Sequence, residues 1–252
     1  MTELESNGCD HWNGDTKSMI VDAVNRSALR TKPFEYVYME NIFSPEVYRE
    51  MLEHLPETSH FHVLERSGRR RLYLYPESLK RLPSTQRKVW ERIATALLSC
   101  DLQEVFKHKF QAVLASRFGK NIDRLSFYPV PILVRDLPGY RIPVHSDVPQ
   151  KAITVQFYLP CDASQIHLGT TFHEAKDGPG LENTTTLKFL PASGYAFPVN
   201  LTASWHSVKP SSEADGARNS MMVTYYVQDT AHAWFQLRRQ RLFTSLGRPP
   251  SR

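Results

Sequence analysis

After Gly119 the chain becomes a series of short β-rich runs separated by Pro, Gly, Asp and Ser. They lie near 124–135, 151–159, 168–174, 185–190, 194–199, 203–208 and 219–228. Regularly spaced short strands of this kind predict a sandwich or barrel. The run Lys151–Pro160 is the most explicit. Ile153, Val155, Phe157 and Leu159 share one face, and Thr154, Gln156 and Tyr158 share the other. If helices cover the apolar face, the uncharged polar face looks into a cavity; otherwise it is an ordinary solvated side.

The first half has a different pattern. Residues 1–32 are polar with little periodicity and read as a flexible N-terminal arm, with a short helix near Ile20–Val24. Phe34 to Phe43 alternates and predicts a strand. Ser44-Pro45-Glu46 predicts a helix start, because Ser caps, Pro suits the first helical position and Glu suits the positive end of the dipole. That helix runs to about Leu55, before Pro56. Residues 84–100 carry Val89, Ile93, Ala96 and Leu97 at helical spacing. Asp101 is the expected cap of the next helix, whose stripe is Leu102, Val105, Phe106, Phe110, Val113, Leu114 and Phe118, ended by Gly119. Ala231 to Leu246 suggests an amphipathic C-terminal helix. The expected division is an arm at 1–32, one domain at 33–230 with helical support at 44–119 and a β core at 122–230, and a helix or tail at 231–252.

Hydrophobic residues at 41% and charged residues at 23% exclude a disordered, collagen-like or coiled-coil chain. No apolar run approaches the roughly 18 residues of a membrane span, so no membrane partner is expected. The polar, acidic start Met-Thr-Glu-Leu-Glu-Ser does not resemble a secretory signal. Cys9, Cys100 and Cys161 are far apart and odd in number, which fits a reducing, cytoplasmic setting. The formal charge of +5 suits an anionic ligand and is too small to imply nucleic acid. Arg69-Arg70-Arg71 accordingly reads as a solvated hairpin or a substrate mouth.

Three constellations could carry chemistry. In His145-Ser146-Asp147, alternate residues of an extended segment would point an imidazole and a carboxylate the same way. About one such pair is expected by chance among ten histidines, so the motif alone is weak. His206, in Trp205-His206-Ser207-Val208-Lys209-Pro210, would add a second imidazole. Two histidines and a carboxylate form the facial triad of non-haem iron sites, although a lone histidine is more often structural. Arg218-Asn219-Ser220 opens an apolar strand. An inward-facing arginine there needs an anion, and guanidinium plus hydroxyl suits a carboxylate.

In order and spacing, His145-x-Asp147, His206 and Arg218-x-Ser220 resemble the signature of Fe(II)/2-oxoglutarate-dependent oxygenases. The segments Lys151–Pro160, Leu168-Gly-Thr-Thr-Phe172, Pro191-x-x-Gly194 with Phe197, and His206-x-Val208-x-Pro210 are similar to the prolyl hydroxylase-like branch. The likeness covers about residues 122–230. It implies a mainly β fold with α elements: a double-stranded β-helix, a jelly-roll- or cupin-like barrel, with N-terminal helices packed on one side. It implies iron held by His145, Asp147 and His206, and 2-oxoglutarate bound through Arg218 and Ser220, with Tyr158 near the same carboxylate; Thr154, on the same pocket face, is a further expected cofactor-binding residue. O2 would be the co-oxidant, with succinate and CO2 released. The second arginine of the nucleic-acid demethylase branch is missing; Thr224 stands there. Asp147 occupies the position where related halogenases have a small residue.

The expected reaction is therefore hydroxylation or desaturation at an unactivated carbon. The arginines Arg69, Arg70, Arg71, Arg135 and Arg141 suggest a small carboxylate-bearing substrate, such as a free or derivatised amino acid. A peptide or protein prolyl (or other residue) hydroxylase is the alternative within the class. A non-catalytic metal-binding jelly-roll sensor is the alternative outside it.

Overall fold

Alternation along the central strands separates a helix-covered face from a polar face, and the tertiary structure follows from that separation. The structure is a computed structural model that describes residues 7–63, 68–119, 121–178 and 180–227. The helices are α1 (Asn7–Arg26), α2 (Pro45–Glu53), α3 (Pro76–Leu79), α4 (Ser84–Leu97), α5 (Cys100–Lys109) and α6 (Gln111–Phe118). The strands are β1 (Val37–Met39), β2 (His62–Val63), β3 (Arg69–Tyr73), β4 (Phe127–Asp136), β5 (Ile142–His145), β6 (Lys151–Tyr158), β7 (Thr171–His173), β8 (Thr184–Thr186), β9 (Gly194–Pro198), β10 (Trp205–Val208) and β11 (Arg218–Val227).

Two antiparallel sheets result. The larger has seven strands in the order β1-β9-β6-β11-β4-β3-β2, and the smaller has four in the order β5-β10-β7-β8. Strands β6 and β11 sit near the middle of the larger sheet. Their register sets Ser220 against Tyr158, Met222 against Gln156 and Thr224 against Thr154. One face buries Ile153, Val155, Phe157, Met221, Val223 and Tyr225 with Trp90, Ile93 and Leu97 of α4, Phe106 of α5 and Phe110 at the α5–α6 break. The opposite face carries Thr154, Gln156, Tyr158, Ser220 and Thr224, all buried.

Among the described residues no strand pairing joins the two sheets, so the closed barrel expected from the sequence is not formed. Side chains bridge them instead. Phe172 on β7 packs edge-on against Tyr195 and Phe197 on β9, at 5.3 and 5.7 Å. Two motif glycines permit close backbone approaches within this framework. A Cβ at Gly169 would lie 1.6 Å from the Leu187 carbonyl oxygen, and one at Gly194 would lie 2.4 Å from that of Gln156.

Local signals set the starts of α2 and α5. Ser44 caps α2 by accepting from Val47 N at 3.3 Å, with Pro45 at the first position. Ser99 caps α5 by accepting from Leu102 N, so Asp101 is a first-turn acid and not the cap. The long helix expected over 101–118 breaks at Phe110 into α5 and α6. The strand expected over 34–43 shortens to β1, the part that pairs with β9.

The stretch 1–32 differs from a flexible arm. It contains α1, which packs against α4 and α5. Thr16, Ile20, Ala23 and Val24 are fully buried and fall on one helical stripe. Gly and Asn dilute the N-terminal part of that helix, so sequence periodicity alone hides it. The helix expected at 231–246 lies outside the described residues. Among those described, no helix is long and apolar enough to cross a membrane. Ile20→Ala should destabilise the protein by about 2–4 kcal/mol in denaturant unfolding, as for a buried residue that leaves a cavity. A free arm would show no change.

Candidate metal centre

Strand pairing brings the two histidines together. His206 on β10 is directly opposite His145 on β5, with ring centroids 4.2 Å apart. Asp147 follows β5 by two residues, and one ligand atom from each of the three residues falls within 4.8 Å of the others. Asp147 and His206 are buried and His145 is partly buried. Phe197 lies 5.0 Å from the His206 ring and belongs to the aromatic cluster between the sheets, which keeps this side dry.

The donor chemistry fits a divalent metal. His145 Nδ1 lies 3.0 Å from the Pro143 carbonyl oxygen, and His206 Nδ1 lies 3.0 Å from that of Ser204. A carbonyl can only accept, so each Nδ1 carries the proton and each Nε2 keeps its lone pair for a ligand. Burial pushes the pKa of His206 down to about 4, against an opposing pull from Asp147, so its ring is neutral at ordinary pH. Burial alone would raise the pKa of Asp147. The Lys151 ammonium, His206 and the bonds from Lys151 and Thr154 outweigh it and hold the carboxyl below its usual range. Lys151 Nζ donates to one carboxylate oxygen at 2.5 Å, and Thr154 Oγ1 donates to the other at 2.6 Å.

A polar line runs from this centre along the inner face of the large sheet. Gln156 Nε2 donates to Ser220 Oγ at 2.7 Å, and Tyr195 Oη donates to Gln156 Oε1 at 2.6 Å. Thr170 donates its N–H to Tyr158 Oη at 3.0 Å and its hydroxyl to Tyr195 Oη at 3.2 Å. The line ends at Arg218, whose side chain is 2% exposed. Its Nε donates to the Leu168 carbonyl at 2.7 Å, and its guanidinium carbon lies 4.8 Å from the Phe189 ring centre and 5.5 Å from that of Tyr158. Tyr158, Ser220 and Arg218 therefore share one region, whereas Thr154 is engaged with the metal-ligand carboxylate. Thr224 Oγ1 is buried without a hydrogen-bond partner on the same face.

Sequence reasoning missed Asp136. It accepts from Arg69 through two bonds, at 2.6 and 2.9 Å, and from Arg218 Nη1 at 3.1 Å. One buried carboxylate is thus shared by two guanidinium groups. Arg218 Nη2 makes a long contact, 3.4 Å, to Thr170 Oγ1. The arginines expected at a substrate mouth are dispersed. Arg69 is buried on Asp136, and Arg135 is committed to Asn219 at 2.8 Å and Thr58 at 2.8 Å, while Arg141 is exposed. The pairing of β3 with β4 sets Arg69 opposite Asp136, and no local motif announces that pairing.

No family profile and no curated protein matches the sequence. The fold has clear relatives among solved structures. A prolyl-4-hydroxylase from Pseudomonas putida aligns with a TM-score of 0.53 and 12% identity, over 84% of this chain and 98% of that one. A prolyl 4-hydroxylase structure from Phytophthora capsici aligns with a TM-score of 0.54 and 15% identity, over 96% of this chain and 80% of that one. At such identities the likeness is one of fold.

His206 yields a pH prediction for the metal-free protein. An unfolded chain would protonate this ring below about 6.5, while the folded chain resists until about 4. Stability is thus present above 6.5 and falls as pH drops through that window, by up to ~3 kcal/mol. His206→Gln should flatten this part of the melting-temperature profile. An equally steep profile in the variant would rule His206 out as the cause.

The folded arrangement, with His145 and His206 on paired strands and Asp147 beside them, agrees with the sequence resemblance to the Fe(II)/2-oxoglutarate oxygenase superfamily.

Proposed function

We propose that this chain is an Fe(II)- and 2-oxoglutarate-dependent dioxygenase that hydroxylates a residue, prolyl in the first instance, of a peptide or protein. The observation that carries the iron reading is the convergence of His145, Asp147 and His206, with both imidazole Nδ1 atoms tied to carbonyls. The two sheets and their helical backing are read as an open form of the double-stranded β-helix. The fold shared with two prolyl 4-hydroxylases favours the peptide substrate, as does the commitment of Arg69 and Arg135 to partners inside the protein.

His145, Asp147 and His206 would hold the metal by one face. Bound iron would supply oxidation of an unactivated C–H bond by O2, coupled to conversion of 2-oxoglutarate into succinate and CO2. The protein's part is orientation. Lys151 and Thr154 fix the Asp147 carboxylate, and the Pro143 and Ser204 carbonyls fix the rings. Arg218, incompletely neutralised by the shared Asp136, is assigned the distal carboxylate of 2-oxoglutarate, with Ser220 and Tyr158 on the same inner face. The Phe34, Phe172 and Phe197 cluster excludes water.

A small carboxylate-bearing substrate is the second reading. It rests on Arg71, whose Nε is buried without a hydrogen-bond partner.

Succinate release measured with proline-containing peptides and with free amino acids separates the two. Peptide-stimulated turnover is expected; stimulation by free amino acids alone would reverse the order of the readings. His145→Ala and His206→Ala should each abolish iron binding and turnover while retaining the fold, and iron content near wild type in either would remove the assignment. Arg218→Gln should raise the 2-oxoglutarate constant about ten- to a hundredfold, the loss expected for a charge-assisted pair. An unchanged constant would move that role to another cation.

A further inference from the structure

Arg117, in the last turn of α6, donates to three main-chain carbonyls. Its Nη1 bonds the carbonyl oxygens of Lys151 and Val199, each at 2.7 Å, and its Nη2 bonds that of Pro149. These acceptors belong to two different segments, and each segment leads to a metal-ligand candidate.

Pro149 lies in the turn after Asp147, and Lys151, which closes that turn, is the first residue of β6. Lys151 also returns its ammonium to Asp147. Val199 follows β9 and opens the path to His206. The next residue, Asn200, accepts from Ser204 N at 2.9 Å and Ser204 Oγ at 2.7 Å, and its own N–H donates to Ser204 Oγ at 3.0 Å. The Ser204 carbonyl then takes the Nδ1 proton of His206. Two short paths of hydrogen bonds and covalent links therefore start at one guanidinium and end at Asp147 and His206.

Three carbonyl oxygens that converge repel one another. A guanidinium satisfies them together because its donors are held in a rigid plane, whereas an ammonium offers a point charge on a flexible stem. Without that plane the two segments have less reason to stay together. The β6–β9 ladder ends at this place, with Val199 N donating to the Ala152 carbonyl at 2.8 Å.

We propose that Arg117 is a positioning residue for the metal centre: by clasping the Pro149–Lys151 turn to Val199, it fixes the placement of Asp147 relative to His206. This rests on the metal-centre reading above. A cavity of about 490 Å³, lined by Glu35, Val113, Ser116, Arg117, Asn200 and Thr202 among others, adjoins the clasp. Arg117 forms part of its wall.

The test uses the full-length protein and Co(II) as a redox-stable probe, titrated by its visible absorption. Arg117→Met keeps the aliphatic stem and removes the donors. It should weaken Co(II) binding about tenfold and alter the absorption band, with the circular dichroism spectrum unchanged. Arg117→Lys should recover part of the affinity, and millimolar methylguanidinium should recover part of it in Arg117→Ala. Binding by Arg117→Met within twofold of wild type would overturn the clasp. So would weakened binding that neither the lysine variant nor methylguanidinium improves, since that pattern marks a general structural role. If the methionine variant does not fold, the lysine variant decides: it should bind Co(II) more weakly than wild type, and equal binding overturns the clasp. Wild-type protein that binds no Co(II) would overturn the metal-centre reading itself, a result distinct from normal wild-type binding with unaffected variants.

Discussion

The antiparallel register between β6 and β11 is the constraint on which the remaining structure depends. It places Val155 opposite Val223 on the helix-covered face and Thr154 opposite Thr224 on the inner face. The side-chain period of a strand is two, so a slip of one residue would send the apolar set inward and the polar set into the helical core. The apolar packing of Ile153, Val155, Phe157, Met221, Val223 and Tyr225 against α4 and α5 therefore does more than stabilise. It fixes which side chains face the metal centre.

The centre itself is assembled at the junction of the two sheets. The smaller sheet supplies His145 and His206 through the β5–β10 pairing, and the larger supplies Thr154 to hold Asp147. No strand pairing joins the sheets among the described residues, so aromatic packing of Phe172 on Tyr195 and Phe197, with the bonds from Thr170 to Tyr158 and Tyr195, sets their relation. Such packing is close-fitting and dry. It depresses the His206 pKa. A ligand set held this way is prepared for a cation before one arrives.

The arginines show how charge and position differ. From the sequence, Arg69, Arg70 and Arg71 are one basic run. In the fold Arg69 is buried on Asp136, a partner 67 residues away in the chain, and Asp136 also restrains Arg218. A run of like charges says little about where each charge points once alternate residues of β3 face opposite sides.

The sequence by itself determined the local features. It specified the alternation along Lys151–Pro160, the Ser44-Pro45 helix start, the His145-x-Asp147 pair and the β-rich second half, because each depends on neighbours within a few residues. The resemblance then linked His206 and Arg218 to that pair. Only the tertiary structure decided that Thr16, Ile20, Ala23 and Val24 anchor α1, that Ser99 caps α5 in place of Asp101, that the sheets stay open, and that Arg69, Asp136 and Arg218 share a buried site. Each of these except the cap depends on contacts between residues far apart in the chain. The choice of cap turned on a two-residue difference: α4 ends at Leu97, so Ser99 rather than Asp101 stands at the start of α5. Hydrophobic period and spacing record which face a residue prefers; they do not record which distant group waits on that face.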